Sequence, residues 1–261
     1  MTPDSAIQKR EQLLRDGFCV IEDILTETFL QELRDESERL MDGHKPAPDF
    51  KYQGQHVDVR GVDNPIIQRL LEWKPSYEAL DQMGLSDFVS YGAIIFLTKD
   101  PGEPALYWHQ DWMRWEDPIS LAPWPQTIFL NYYLQDTTPE NGCLKVIPGT
   151  HIKRVPLHDQ LVPAHELGAR FINADHPVMF SDAPDQIDVC VPAGSLVLAD
   201  ARLLHAARKN QTDQRRTLIL AWHNRPVSVP SYWDGPVPEE VANRDPDAVY
   251  PGSRLPGKYL K

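Results

Sequence analysis

Near residue 88 the chain changes its hydrophobic rhythm. Before it, apolar positions recur at helical spacing; after it, they alternate or come in short runs. Residues 5–16 predict a helix, since Ser5 with Gln8 three later resembles a capping box and Gly17 is placed to end it. Phe18-Cys19-Val20-Ile21 reads as a short strand. Thr26 predicts the cap of a second helix carrying Phe29, Leu30, Leu33, Leu40 and Met41 at helical spacing. From Asp42 to Asp63 the pattern fades into Gly, Pro, His and charge, which predicts a long loop of the kind that serves as a lid. Pro65 opens a further helix to about Trp73, with a second piece to about Met83.

Strands dominate the rest. They are expected at Phe88 to Thr98, Thr127 to Leu134, Cys143 to Ile147, Asp188 to Val191, Ser195 to Ala199 and Arg216 to Trp222. Between the first two lie an aromatic extended run, Leu106 to Trp112, and a Trp- and Pro-rich insertion, Met113 to Gln126. Asn141-Gly142 predicts a hairpin into the Cys143 strand. Residues 151–186 are irregular, and the Pro-rich tail from Arg225 is expected to wrap the surface, with Tyr232 and Trp233 as candidate pocket walls. Helices followed by many short strands predict a mainly β fold with flanking helices, a sandwich or jelly roll. The expectation is one domain over residues 1–261: N-terminal helices and lid loop (1–87), β core (88–224) and C-terminal wrap (225–261).

Composition narrows the partners. A length of 261 residues suits a single all-β domain. The net charge of −12 argues against nucleic acid and against an anionic membrane surface, and leaves a small-molecule substrate open. No apolar run is long enough to span a membrane and the N-terminus lacks a secretion signal, so a cytoplasmic protein is expected. Cys19, Cys143 and Cys190 read as three reduced, buried thiols. Oligomeric state leaves no signal in the sequence.

The aromatic run holds the candidate chemistry. His109 and Asp111 are two apart, so in an extended chain they share a face. One nitrogen and one oxygen donor suit a divalent transition metal. An HxD triplet alone arises often by chance, so a third donor decides. His205, just after the Ser195 strand, is the best placed; His151, His158, His165, His176 and His223 lie in irregular segments or at the far end of the last strand. Arg216 opens that last strand, and a turn over residues 209–214 is expected to lay it beside the ladder carrying His205. A two-histidine, one-carboxylate site leaves three positions on iron open, two for a 2-oxo acid and one for O2. An arginine fork nearby suits the far carboxylate of such a chelating diacid.

These residues resemble the phytanoyl-CoA dioxygenase family of iron(II)- and 2-oxoglutarate-dependent oxygenases. The resemblance runs from Gly17-Phe18-Cys19-Val20-Ile21 to Arg216. It is carried by His109-Gln110-Asp111, by Asn141-Gly142-Cys143-Leu144 leading to Ile147-Pro148-Gly149-Thr150-His151, and by His205 with Arg216. It implies a double-stranded β-helix (jelly roll, cupin-like), Fe(2+) held by His109, Asp111 and His205, and Arg216 paired with the distal carboxylate of 2-oxoglutarate. It also implies that an inward residue on the strand before the Asn-Gly turn, here Asn131, contacts the co-substrate, and that His151 is structural. Ala207 stands where many members carry a hydroxyl, so Asn131 or Thr127 is expected to supply that contact. Retention of Asp111 disfavours halogenation, which in related enzymes needs a small residue there.

The implied activity is oxidative decarboxylation of 2-oxoglutarate to succinate and CO2, coupled to hydroxylation, desaturation or cyclisation of a metabolite. Only Lys45, Lys51 and Arg60 lie in residues 43–60, which favours a small or mid-sized apolar metabolite over a CoA ester. Two rivals remain open: a zinc or manganese isomerase or hydrolase with the same ligands, which would not need Arg216, and a non-catalytic jelly-roll binding protein.

Overall fold

The structure, a computed structural model, describes residues 1–45, 54–161, 176–226, 229–251 and 260. Its core is a pair of antiparallel sheets. The strands are β1 (Phe18–Ile21), β2 (Gln55–Arg60), β3 (Val89–Lys99), β4 (Leu106–His109), β5 (Thr127–Tyr133), β6 (Leu144–Val146), β7 (Ile187–Val189), β8 (Leu196–Asp200), β9 (His205–Ala207) and β10 (Arg216–Asn224). The larger sheet runs β1-β8-β5-β10-β3-β2, and the smaller runs β4-β9-β6-β7.

Strand alternation assigns the two faces of the larger sheet. Ile94, Phe96, Ile128, Leu130, Tyr132, Ile219 and Ala221 point one way, into a core shared with the helices. Their neighbours Leu97, Phe129, Asn131, Tyr133, Leu218 and Leu220 point the other way and line a cavity, together with residues of the smaller sheet. The helices are α1 (Pro3–Asp16), α2 (Glu27–Met41), α3 (Pro65–Leu71) and α4 (Lys74–Gln82). They cover the first face with Leu13, Phe29, Leu33, Ile67, Leu70 and Leu80. Buried this way, the large sheet is a rigid floor for the cavity.

Several local expectations change. The cap of α1 is Thr2, whose Oγ1 accepts the Ser5 N–H at 3.2 Å; Pro3 then occupies the first helical turn, so the helix starts ahead of the expected Ser5. The loop expected over Asp42 to Asp63 contains β2, an edge strand with mostly polar residues, and a 3-10 turn at Gly61–Asp63; its stretch 46–53 lies outside the described residues. Asn141-Gly142 does not close a hairpin of paired strands. It carries the chain from β5 in the larger sheet to β6 in the smaller one. The turn over 209–214 likewise leads from β9 to β10 in the opposite sheet, so Arg216 faces Lys99 across the β10–β3 ladder and does not pair with the strand of His205. In a jelly roll the chain steps between sheets, and a turn signal does not tell a hairpin from such a step. Cys19 and Cys143 are buried as expected, whereas Cys190 is exposed. Among the described residues no helix is long and apolar enough to cross a membrane.

Candidate active site

His109 ends β4 and stands directly opposite His205 at the start of β9. Asp111 follows just past the strand end, its backbone N–H donating to Ala201 O at 2.9 Å. One atom from each of these three side chains lies within 4.8 Å of the others. Asp111 reaches His205 Nε2 at 3.2 Å and His109 Nε2 at 3.6 Å. Each imidazole is oriented from behind: His109 Nδ1 lies 2.9 Å from Tyr107 O, and His205 Nδ1 lies 3.0 Å from Leu203 O. A ring that donates Nδ1–H to a carbonyl presents Nε2 as a lone-pair donor, the tautomer a metal needs. Burial disfavours the imidazolium of His205, but the Asp111 carboxylate outweighs it and raises the pKa. Two imidazoles and one carboxylate facing a common point fit a divalent transition metal.

The triad opens onto a cavity of about 620 Å³ between the sheets. Arg216 is buried in its wall, 4% exposed. Of its five N–H donors, it spends one on Gly142 O at 3.0 Å, and Nε has no partner among the described residues. Burial lowers its pKa. Lys99, its neighbour across the ladder, is also buried; burial first and then the like charge of Arg216 push its ammonium down to about 7. Glu103 answers weakly, because burial raises its own pKa. Tyr133, pushed up to about 12 by burial, has Asn131 as the polar neighbour of its hydroxyl, and neither that hydroxyl nor the Asn131 Oδ1 makes a well-formed hydrogen bond among the described residues. This end of the cavity is therefore cationic and holds unspent donors, which is the environment an acidic group fills.

The residues expected from the sequence separate along β10. Tyr133 pairs with Leu218, Asn131 with Leu220 and Thr127 with Asn224. At about 3.3 Å per residue, these levels are roughly 7, 13 and 26 Å from Arg216. Asn131 thus sits between Arg216 and the far end, while Thr127 is at the opposite end, hydrogen-bonded to Asn224. Thr127 and Arg216 cannot grip one five-carbon diacid. His151 packs beneath Gly17 with Nε2 at 3.0 Å from Leu14 O, remote from the triad. His158 and His223 are buried elsewhere, and His165 lies outside the described residues. Of the insertion, Trp112 just before it and Met113 and Arg114 reach the cavity wall, whereas Trp115 and Trp124 are buried in their own cluster. Tyr232 and Trp233 do not line the cavity: Tyr232 packs on Arg10, and Trp233 on Trp124. Sequence reasoning missed Lys99, Tyr133 and Arg114. The alternation Ile95, Leu97, Lys99 puts Lys99 on the cavity face, but only the register with β10 places it beside Arg216.

The chain belongs to the phytanoyl-CoA dioxygenase (PhyH) family, whose pattern it matches over residues 13–218. It is 28% identical over 255 residues to the L-proline trans-4-hydroxylase of Streptomyces griseoviridis, covering 91% of this chain and 92% of that one. Its fold is similar to the non-heme alpha-ketoglutarate-dependent epimerase SnoN of nogalamycin biosynthesis (TM-score 0.65, 17% identity, 91% of this chain and 94% of that one). It is also similar to HygX of Streptomyces hygroscopicus, solved with nickel and 2-oxoglutarate bound (TM-score 0.62, 18% identity, 87% of each chain). The paired sheets are thus the jelly roll of this oxygenase family, and the enzyme is a dioxygenase.

Proposed function

We propose that this protein is an iron(II)- and 2-oxoglutarate-dependent hydroxylase of a small organic metabolite. The observation that carries the reading is a single cavity holding the His109–Asp111–His205 cluster and a buried arginine, most of whose donors find no partner among the described residues. His109, Asp111 and His205 hold the iron. Arg216 takes the distal carboxylate of 2-oxoglutarate through its fork of donors, flanked by Lys99 and the Tyr133 hydroxyl, and Asn131 meets the co-substrate through its amide. When bound, the iron and O2 supply oxidative decarboxylation of 2-oxoglutarate to succinate and CO2, which drives hydroxylation of the metabolite. The chain's own share is geometric: it fixes the donor set, orients the diacid and keeps water from its charged end. No side chain is required as a general base. Thr127, at the other end, belongs to the wall facing the metabolite. An isomerase or hydrolase using the same ligands would leave the buried Arg216 fork without a purpose.

Anaerobic protein mixed with Fe(II) and 2-oxoglutarate should show a weak visible charge-transfer band. H109A and D111A should each remove it, and succinate should form only when O2 is admitted. A band that survives in both variants removes these residues from the site.

A further inference from the structure

We propose that Arg114 is the anchor for the metabolite, and that the metabolite carries a carboxylate: a small monocarboxylic acid, amino acids included. This rests on the reading above and adds the substrate's class to it.

The first ground is charge. The chain carries −12 overall, yet among the described residues the cavity wall holds Lys99, Arg114 and Arg216 against one carboxylate, Asp111, with Glu103 beside Lys99 and Arg216. Asp111 offsets half of an iron(II) charge, and Arg216 with the remaining half balances the two negative charges of 2-oxoglutarate. Lys99 stands beside that same diacid. Arg114 is left as a cation with no assigned anion in the wall.

The second ground is how Arg114 is held. Asp117 is fully buried, and Arg244, also buried, pairs with it twice, Nε to Oδ1 at 2.6 Å and Nη2 to Oδ2 at 2.8 Å. Arg114 then adds a second guanidinium to the same carboxylate through Nη2, at 2.5 Å. Two guanidinium groups share Asp117, and the exposed Asp245 acts on Arg244 alone, so Asp117 by itself does not neutralise both cations. Arg244 is enclosed, whereas Arg114 is half-exposed and lines the cavity, so of the two cations Arg114 is the one a ligand can reach. Asp117 therefore positions Arg114 and does not neutralise it. The main chain is fixed as well: Arg114 O accepts from Asp117 N at 3.0 Å and from Ser120 Oγ at 2.9 Å, while Ser120 Oγ accepts from Trp112 Nε1 at 2.8 Å. A guanidinium held this way loses little freedom on binding a carboxylate.

The third ground is reach. Arg114 is three residues beyond Asp111, at most about 11 Å in an extended chain. A carboxylate on its guanidinium leaves the rest of an amino-acid-sized molecule inside the cavity that also holds His109, Asp111 and His205, with Trp222 and Met113 in its lining.

The test uses protein loaded with Ni(II) and 2-oxoglutarate, which binds without turning over. The probes are the twenty proteinogenic amino acids and straight-chain monocarboxylates of two to eight carbons, each beside its primary amide, with binding followed by calorimetry and ligand-detected NMR. At least one acid is expected to bind, with its amide at least about tenfold weaker, as charge-assisted hydrogen bonds are the strong ones. R114Q should weaken the acid by about ten- to a hundredfold and leave the amide alone, and R114K should recover part of the loss. Acids and amides binding alike, no probe binding, or an acid unaffected by R114Q each overturn the proposal. Failure of wild-type protein to bind 2-oxoglutarate overturns the functional reading itself. An unchanged melting temperature in R114K separates lost recognition from lost folding.

Discussion

Two arginines are buried to a similar depth and do opposite things. Arg202, 1% exposed, donates all five of its N–H groups: Nε and Nη2 to Asp200 at 3.0 and 2.6 Å, Nη1 to Ser120 O and Ala122 O at 3.0 and 2.8 Å, and Nη2 to Trp124 O at 3.0 Å. It has nothing left to offer a ligand. It fastens the insertion after Asp111 onto the turn after β8, and so braces one wall of the cavity. Arg216, 4% exposed, has one such bond among the described residues and lysine for a neighbour. Burial alone does not mark function; the unspent donors of a buried cation do, since a protein that gained only stability there would have satisfied them.

The contrast is broken most severely at Arg202. R202M would leave Asp200 buried without its cation and three carbonyls without donors, and breaking a buried pair from one side costs about 3–5 kcal/mol. Urea unfolding should show a loss of that size. R216M should do the reverse to stability, leaving the unliganded protein as stable or more so, because it removes a buried charge that has no ion pair among the described residues and only the weak pull of Glu103. Its cost appears in binding: 2-oxoglutarate affinity should fall about a hundredfold, on the order of 3 kcal/mol, as a charged fork is lost. If R216M lost stability as R202M does, Arg216 would be a structural clamp after all.

A smaller effect sharpens the same comparison through pH. Nζ of Lys99 bonds Pro104 O, and the charged groups facing it are Arg216 and Glu103. Its ammonium titrates near 7 in the folded protein, against about 10.4 in the unfolded chain. Between these values the unfolded chain holds a proton that the folded protein has released, so the stability of the unliganded protein should rise with pH from about 7 to 10. A 2-oxoglutarate dianion arriving beside Nζ favours the charged amine and draws a proton in. Affinity should therefore weaken as pH rises, by about tenfold between pH 7 and 9. K99M should flatten this dependence in calorimetric titrations. A slope that persists in K99M would assign the proton to another group.

How much of this the sequence disclosed follows from the range of the information each feature needs. His109 and Asp111 are read from local spacing, and His205 and Arg216 from their order along a run of strands, so the three clustered side chains and the arginine in the same cavity are legible together. Caps such as Thr26 and the breaks at Gly17 and Pro148-Gly149 are local chemistry and were equally legible. β2 was hidden because an edge strand with polar residues has no apolar alternation to show. Lys99 closes a strand of apolar residues and looks like a solvated end; only its register against β10 turns it inward. Arg114 lies in a stretch without periodicity, and its meaning depends on Arg244, 130 positions away in the numbering, sharing Asp117.

The smallest effect concerns Thr127, which the missing hydroxyl at Ala207 made a candidate for the co-substrate. Strand register separates it from Arg216 by eight positions of β10, roughly 26 Å. Its hydroxyl already bonds Asn224, which in turn donates to Tyr91. T127V keeps the shape and removes that bond, so 2-oxoglutarate affinity should change by less than about twofold, within the scatter of a distant substitution. N131A should weaken the same affinity by about five- to tenfold, the worth of one neutral hydrogen bond. The two variants lie on one strand, four residues apart and on one face, so their ratio measures how far along the cavity the diacid reaches. Equal losses would mean that it lies toward the far end of β10, and the assignment of Arg216 as its anchor would fall with that result.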